Sequence, residues 1–169
     1  MTSTPADIVN MIFSDLEAWA KPQRGTVALT NSPYDLMGMF AEQPSGWRLT
    51  VYWEGDAPAD PRVRDVVVVD NRFRIILDGN LGPTAIPKIA LIRQTAARTP
   101  FLDLVSKVRA RVMSYKFPWL SEPNNRCRYR GSDERVPLAD GFAIAAYNLS
   151  FTLFSKIEQP ETTVELNHG

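Results

Sequence analysis

Two segments of the chain repeat apolar residues at the three- and four-residue spacing of an amphipathic helix. The first segment follows Thr4 and Pro5, a capping residue and a proline suited to the first helical position, and Pro22 is predicted to stop it. The second segment follows Thr99 and Pro100 in the same arrangement. The predicted buried stripes are Ile8, Val9, Ile12, Phe13, Leu16 and Trp19 in the first helix and Phe101, Leu104, Val105, Val108 and Val112 in the second.

Other segments alternate apolar and polar residues with a period of two, which predicts strands with one buried face. Residues 47–54 alternate in this way, and residues 25–30 predict a shorter strand. Residues 55–61 contain two prolines and two aspartates, which predicts a loop. Residues 143–153 predict a long strand with one face in solvent, because their odd positions are apolar and most of the even ones are polar. The polar even positions are Asn148, Ser150 and Thr152.

Two further strand signals are separated by residues that favour turns. They are the four valines at 66–69 and the alternating residues at 73–78, with Asp70 and Asn71 between them. Two turn-forming residues between two strand signals predict a hairpin. A polar run over residues 131–141 predicts a connection between strands.

Together these elements predict an α+β fold, with a mainly antiparallel β-sheet and two amphipathic helices packed on one face. We expect a single domain over residues 1–157 and a flexible polar C-terminal tail or arm over residues 158–169. Hydrophobic residues make up 44% of the chain and charged residues 22%, so the chain has enough apolar side chains for a core. No basic N-terminal segment and no long apolar run is present, and we therefore expect no membrane partner.

The residues that usually carry catalysis are scarce. The chain has one histidine, His168, which lies next to last and leaves a triad or a histidine metal site without its key residue. Its one cysteine, Cys127, is predicted on the inward face of a strand, with no recognisable base to activate it. No glycine-rich phosphate loop is present. We therefore expect a protein that is not an enzyme and has no cofactor.

A row of arginines is the strongest indication of a binding surface in the sequence. Arg126, Arg128 and Arg130 alternate with Cys127 and Tyr129, which predicts three arginines on one face of a strand. Formal net charge is zero, with 19 basic and 19 acidic side chains, which argues against a nucleic-acid partner. We expect the row to pair with acids across a subunit boundary, because the arginine fork suits carboxylates. The subunit-interface candidates are Arg126, Arg128, Arg130, Asp133, Glu134, Arg135 and Asp140.

The order of the predicted helices and strands resembles that of a known protein family. A short amphipathic helix and a strand meander are followed by the helix PFLDLVSKVR at 100–109, a strand, a polar loop and the closing strand GFAIAAYNLSFTL at 141–153. This layout resembles the tail terminator (tail completion) and related minor tail proteins of long-tailed bacteriophages. At 169 residues the chain is long for that family, and the extra length is assigned to residues 31–45 and to the tail.

The resemblance implies an α+β subunit that forms a ring with copies of itself, in that family a hexamer. Such a ring caps the tail tube, stops its polymerisation and offers a docking surface for the head. The implied partners are therefore the chain itself, the tail tube protein and the head–tail connector proteins. The implied location is the virion tail, after assembly in the host cytoplasm, and no catalytic residues accompany the resemblance.

Two other functions compete with this one. The first is a nucleic-acid-binding module that uses the arginine-bearing sheet face, and its binding is expected to fall steeply with salt. The second is a small-ligand or enzyme domain with an apolar pocket lined by Trp47 or Trp53.

Overall fold

The computed structural model describes residues 4–29, 46–58, 66–80, 100–118, 122–136 and 144–158. These residues form two helices, a single 3₁₀ turn and five strands, so the predicted α+β fold is confirmed. The elements are α1 (Pro5–Ala20), the 3₁₀ turn (Lys21–Gln23), β1 (Gly25–Leu29), β2 (Gly46–Pro58), β3 (Val66–Asn80), α2 (Phe101–Ser114), β4 (Arg128–Val136) and β5 (Ile144–Glu158).

The five strands form one sheet in the order β1-β2-β3-β5-β4. β1 pairs with β2 in parallel and all other neighbours are antiparallel, so the sheet is mixed but mainly antiparallel. β5, the last of the described strands, lies between β3 and β4. One sheet face and the apolar stripes of both helices form a single core. Its buried members include Leu49, Val51, Phe73, Ile75, Leu77, Leu149, Phe151 and Leu153 of the strands.

α1 begins with a reciprocal cap, as predicted. The Asp7 amide donates to the Thr4 hydroxyl at 3.2 Å, and the Thr4 amide donates to the Asp7 carboxylate at 2.8 Å. These hydrogen bonds hold the pKa of Asp7 below its usual range. The helix ends at Ala20, and Pro22 lies in the 3₁₀ turn that follows. The side chains buried along its core-facing stripe are Ile8, Ile12, Leu16 and Ala20.

α2 carries the predicted buried stripe but starts differently from the prediction. Pro100 itself is the N-cap residue and makes no side-chain capping hydrogen bond, while the predicted cap Thr99 lies outside the described residues. The helix ends at Ser114 because the chain becomes extended at Tyr115 and buries Phe117. The Phe117 amide then donates to the Asn125 carbonyl at 2.8 Å, which closes the loop that leads towards β4.

Each helix covers a different half of the sheet. Trp19 of α1 packs against Trp47 of β2, with ring centroids 5.7 Å apart, and Phe101 of α2 packs against Tyr147 of β5 at 6.0 Å. Both contacts lie on the same sheet face, as predicted.

The hairpin predicted at Asp70 and Asn71 is wrong, because β3 runs through both residues without a break. Asn71 is fully buried, and its side-chain amide donates to the Leu153 carbonyl at 3.3 Å and to the Ser155 hydroxyl at 2.7 Å. Asp70 accepts a hydrogen bond from Arg130 at 3.3 Å. The Asn71 side-chain nitrogen and one Asp70 carboxylate oxygen therefore find partners within the sheet that their own segment does not contain.

Two other boundaries also differ from the prediction. β2 continues through the predicted loop as far as Pro58, by way of a bulge between Trp53 and Gly55. Gly55 has a φ of +110°, which glycine adopts without the strain that a side chain causes. β4 extends to Val136, so the predicted polar connection over 131–141 is wrong in its first six residues.

β5 reaches Glu158, the first residue of the predicted tail. The remaining tail, residues 159–169, and the extra segment at 31–45 lie outside the described residues, and the predictions made for them stay predictions. The solvent face predicted for β5 is wrong for Asn148 and Thr152, which are 5% and 4% exposed. They are buried because side chains of the neighbouring strand cover them: Asp133 contacts Asn148, and Arg130 contacts Thr152.

Candidate interaction surface

The sheet face opposite the helices carries alternating polar and charged side chains from four strands, and we call it the polar sheet face. The even positions of β2, β3 and β5 supply it, because successive side chains of a strand point to opposite faces. β4 contributes at Arg128, which lies opposite Thr152, and at Asp133, which lies opposite Asn148. Among the residues whose side chains are described, its charged members are Arg48, Glu54, Asp70, Arg72, Arg74, Asp78, Arg128, Arg130 and Asp133.

One end of the polar sheet face is closed to solvent. Arg48 and Asp78 lie opposite each other on β2 and β3, and two guanidinium nitrogens approach one carboxylate oxygen at 3.3 Å. The two side chains are only 9% and 7% exposed, so this is a buried ion pair. Thr50 and Asn148 in the next row are also buried, and Asn148 donates to Asp133 at 2.8 Å. The Arg48–Asp78 pair is structural, because the two charges are paired and inaccessible.

The other end is accessible and holds four arginines. Arg74 is neutralised by an ion pair with Glu54. Arg130 donates to Thr152 at 3.2 Å and to Asp70 at 3.3 Å, so it too is paired within the chain.

The other two arginines of the accessible end have no carboxylate partner among the described residues. The Arg128 guanidinium lies 3.7 Å from the Phe154 ring centroid and donates to the Asn124 side chain at 3.2 Å. The Arg72 side chain is exposed and makes no hydrogen bond or ion pair with any residue that the structure describes.

Arg72 and Arg128 belong to one row of the sheet. Both are in register with Thr152, Arg72 from β3 and Arg128 from β4. Their Cα atoms are therefore about 10 Å apart, twice the spacing of neighbouring strands. The row presents two unneutralised positive charges with a buried threonine between them.

The structure brings together only some of the residues predicted for the interface. Arg128, Arg130 and Asp133 share the polar sheet face. Arg126 precedes β4, so it is not in the predicted strand row, and it lies 3.7 Å from Glu122. Glu122 is exposed, and its ion pair with Lys116 holds its pKa below the usual range.

The side chains of three other interface candidates are not described, and two arginines of the polar sheet face were not among the candidates predicted from the sequence. The backbone of Glu134 and Arg135 lies in β4, their side chains are not described, and Asp140 lies outside the described residues. The sequence analysis did not single out Arg72 or Arg74. Their alternation with apolar residues was visible, but their position beside β4 depends on strand order.

Nucleophilic chemistry at Cys127 is opposed by its surroundings. The side chain is buried, and burial raises the pKa of the thiol because a thiolate loses its hydration there. Within the described ranges, no group of three or more histidine, cysteine, aspartate or glutamate side chains could hold a metal ion. Neither described helix is long and apolar enough to cross a membrane.

Comparisons with models of protein families and with curated proteins gave no match to this chain. The interpretation of the polar sheet face therefore rests on its own geometry. Among the described residues, its accessible end has two neutralised arginines, two without a carboxylate partner and no nucleophile with a recognisable base. Such an arrangement suits binding of a negatively charged partner.

Proposed function

We propose that this chain is a ring-forming structural protein of a long-tailed phage, a tail terminator or tail completion protein. In this role it assembles with copies of itself, caps the tail tube and helps to join the head. It is not an enzyme and needs no cofactor. Its partners are then the tail tube protein and the head–tail connector proteins, and its location is the tail of the virion.

The observation that carries the proposal is the layout of the fold. The element order α1-β1-β2-β3-α2-β4-β5, in one sheet with both helices on one face, agrees with the layout on which the resemblance to tail terminators rests. The two sides of this sheet are chemically unlike, since one is covered by helices and the other ends in exposed arginines. A ring requires two different surfaces on each subunit, because each copy contacts its two neighbours through opposite sides.

The first test is the native mass of the full chain by light scattering over a concentration series, with negative-stain images of the largest species. Closed rings, including rings that form as concentration rises, support the proposal. Images of the chain with polymerised tail tube protein then test the location, since a terminator binds tube ends. A chain that stays monomeric and leaves the tube ends bare contradicts the proposed function.

Charge reversal at Arg128 tests whether the polar sheet face takes part in self-association. We expect Arg128→Glu to lower the native mass while the far-ultraviolet circular dichroism stays unchanged, because this side chain is exposed and has no carboxylate partner in the described chain. Lys107→Glu is the matched control, since Lys107 is exposed on α2 at the other side of the sheet. An unchanged mass for Arg128→Glu speaks against a subunit contact at this face.

Nucleic-acid binding is the second candidate, and the presence of Arg72 beside Arg128 favours it. Asp70 and Glu54 on the same face oppose it, because they lower the local positive potential that a phosphate backbone requires. Phe154 already lies beneath the Arg128 guanidinium, so its ring face is not free to stack on a base. Binding of a single-stranded oligonucleotide that weakens steeply with salt would support this candidate.

A further inference from the structure

We propose that Arg72 and Arg128 of one copy bind Glu17, on the outer face of α1, in a second copy of this chain. This inference rests on the proposed function and names the two surfaces that meet between neighbouring subunits. It differs from the expectation that the arginine row pairs with Asp133, Glu134 or Asp140 of the neighbour, and that expectation stays a prediction.

The choice of Arg72 and Arg128 follows from the partners of the four accessible arginines. Arg74 and Arg130 already contact Glu54 and Asp70, so their charges are compensated within the chain. Arg72 and Arg128 have no such carboxylate among the described residues, and they lie in one row about 10 Å apart. Arg128 is also held in place by the Phe154 ring, which lowers the side-chain entropy lost on binding.

A carboxylate surface suits this row better than a phosphate backbone. The acids Asp70 and Glu54 stand beside the two free arginines and repel a continuous line of phosphates. Discrete carboxylates can instead meet each guanidinium separately, since the planar arginine fork matches a single carboxylate in two hydrogen bonds.

α1 is the described element whose charge complements the row. Its sixteen residues include Asp7, Asp15 and Glu17 and contain no lysine, arginine or histidine. Asp15 is paired with Arg111, and Asp7 is occupied in the helix cap. The Glu17 side chain is exposed and makes no hydrogen bond or ion pair with any described residue. It is therefore the acid on this helix that is free to meet an arginine of another copy.

The two surfaces lie on opposite sides of the sheet, which makes the contact heterologous. α1 packs on the face that carries the core, whereas Arg72 and Arg128 lie on the polar sheet face. Each copy therefore uses both surfaces at once, one towards each neighbour, and the arrangement closes into a ring when the rotation allows it.

A charge-swap experiment on the full chain tests the contact. We expect Glu17→Arg to weaken self-association by at least about tenfold, and Arg72→Glu with Arg128→Glu to do the same, because like charges then face each other. We expect the variant that combines Glu17→Arg with Arg72→Glu and Arg128→Glu to recover most of the loss, since the contact is restored with reversed sign. Lys107→Glu is the control and should leave the association constant unchanged.

The outcomes separate this inference from the proposed function. Rings that form equally well in the wild type, in the Glu17→Arg variant and in the Arg72→Glu, Arg128→Glu variant overturn the inference and leave the ring function standing. A wild-type chain that stays monomeric at every concentration overturns both. If self-association weakens in the Glu17→Arg variant and in the arginine variant but does not recover when these substitutions are combined, the pairing of Glu17 with the row is overturned. The inference is also overturned if an oligonucleotide binds through Arg72 and Arg128 while Glu17→Arg leaves the native mass unchanged. In that case the partner of the row is nucleic acid.

Discussion

At the scale of single residues, burial decides how Cys127 behaves. Its thiol is packed beside the core, and desolvation raises the pKa of the thiol above its ordinary value of 9.0. Below pH 9 the thiol is protonated in both the folded and the unfolded chain, so its contribution to stability is fully present. As pH rises above 9, the unfolded chain loses the proton while the folded chain keeps it, and unfolding becomes more favourable.

We therefore expect the free energy of unfolding to fall by about 1.4 kcal/mol per pH unit above pH 9 from this one group. Urea denaturation of the wild type between pH 8 and 10.5 measures the slope. Cys127→Ala is the matched control, because it lacks the thiol and retains every other titrating group. Parallel pH profiles in the two proteins would show that the thiol is not protected in the folded state.

At the scale of elements, β3 shows how a strand can contain residues that favour turns. The Asn71 side-chain amide is a donor to the Leu153 carbonyl and to the Ser155 hydroxyl, both on β5. The partners are more than 80 residues away along the chain, at separations of 82 and 84. The strand is thus continuous because pairing with β5 satisfies a side chain that would otherwise favour a turn.

We expect Asn71→Asp to lower the free energy of unfolding by more than about 2 kcal/mol, because a buried carboxylate then faces the Leu153 carbonyl oxygen and the Ser155 hydroxyl alone is left to donate to it among these contacts. Asp70→Asn is the control, and its cost should stay within about 1 kcal/mol, since the Asp70 ion pair is with the half-exposed Arg130. Chemical denaturation at pH 7 measures both. Equal costs for the two variants would contradict the role assigned to Asn71.

The elements that the sequence predicted correctly are those whose signals are local. The cap of α1, the apolar stripes of both helices, and the alternation around Leu49 and Val51 depend on neighbours within a few residues. The errors concern features set by distant partners. The continuity of β3 at Asn71 and the burial of Asn148 both depend on strands that lie far away in the sequence.

The candidate surface was predictable only in part for the same reason. The arginines of β4 were recognised because they follow one another in a short run. Arg72 was not, because its place in the same row requires β5 to lie between β3 and β4, and alternation alone contains no information on strand order. The ion-pair partners of Arg74 and Arg130 also could not be predicted from the sequence. Arginines with a carboxylate partner were therefore indistinguishable from those without one.

At the scale of the whole molecule, one ion pair joins the two helices that cover different halves of the sheet. The Arg111 guanidinium on α2 donates through Nε to the Asp15 carboxylate on α1 at 2.8 Å, and its terminal nitrogen contacts the second oxygen. The Asp15 side chain is largely shielded from solvent. A two-pronged contact of this kind fixes orientation as well as distance, so it holds the helices in one relative position.

We expect Asp15→Asn to lower the free energy of unfolding by about 1 to 2 kcal/mol, because one charge-assisted hydrogen bond is lost and the other is weakened. Glu17→Gln is the matched control on the same helix, and its effect should stay within about 0.5 kcal/mol, as for most exposed positions. Denaturation at a protein concentration where the native mass is monomeric keeps subunit contacts out of the comparison. A similar loss in both variants would mean that the helix pair does not depend on this contact.

The position of β5 inside the sheet also has a consequence for biosynthesis. β1, β2 and β3 leave the ribosome first, yet the inner side of β3 lacks its neighbour until the last described strand has been made. The growing chain therefore exposes a long strand edge of valines, isoleucines and leucine until β5 has been made, which is the kind of edge that associates with other chains. Because the sheet closes through contacts of high sequence separation, folding is expected to be slow for the size of the chain.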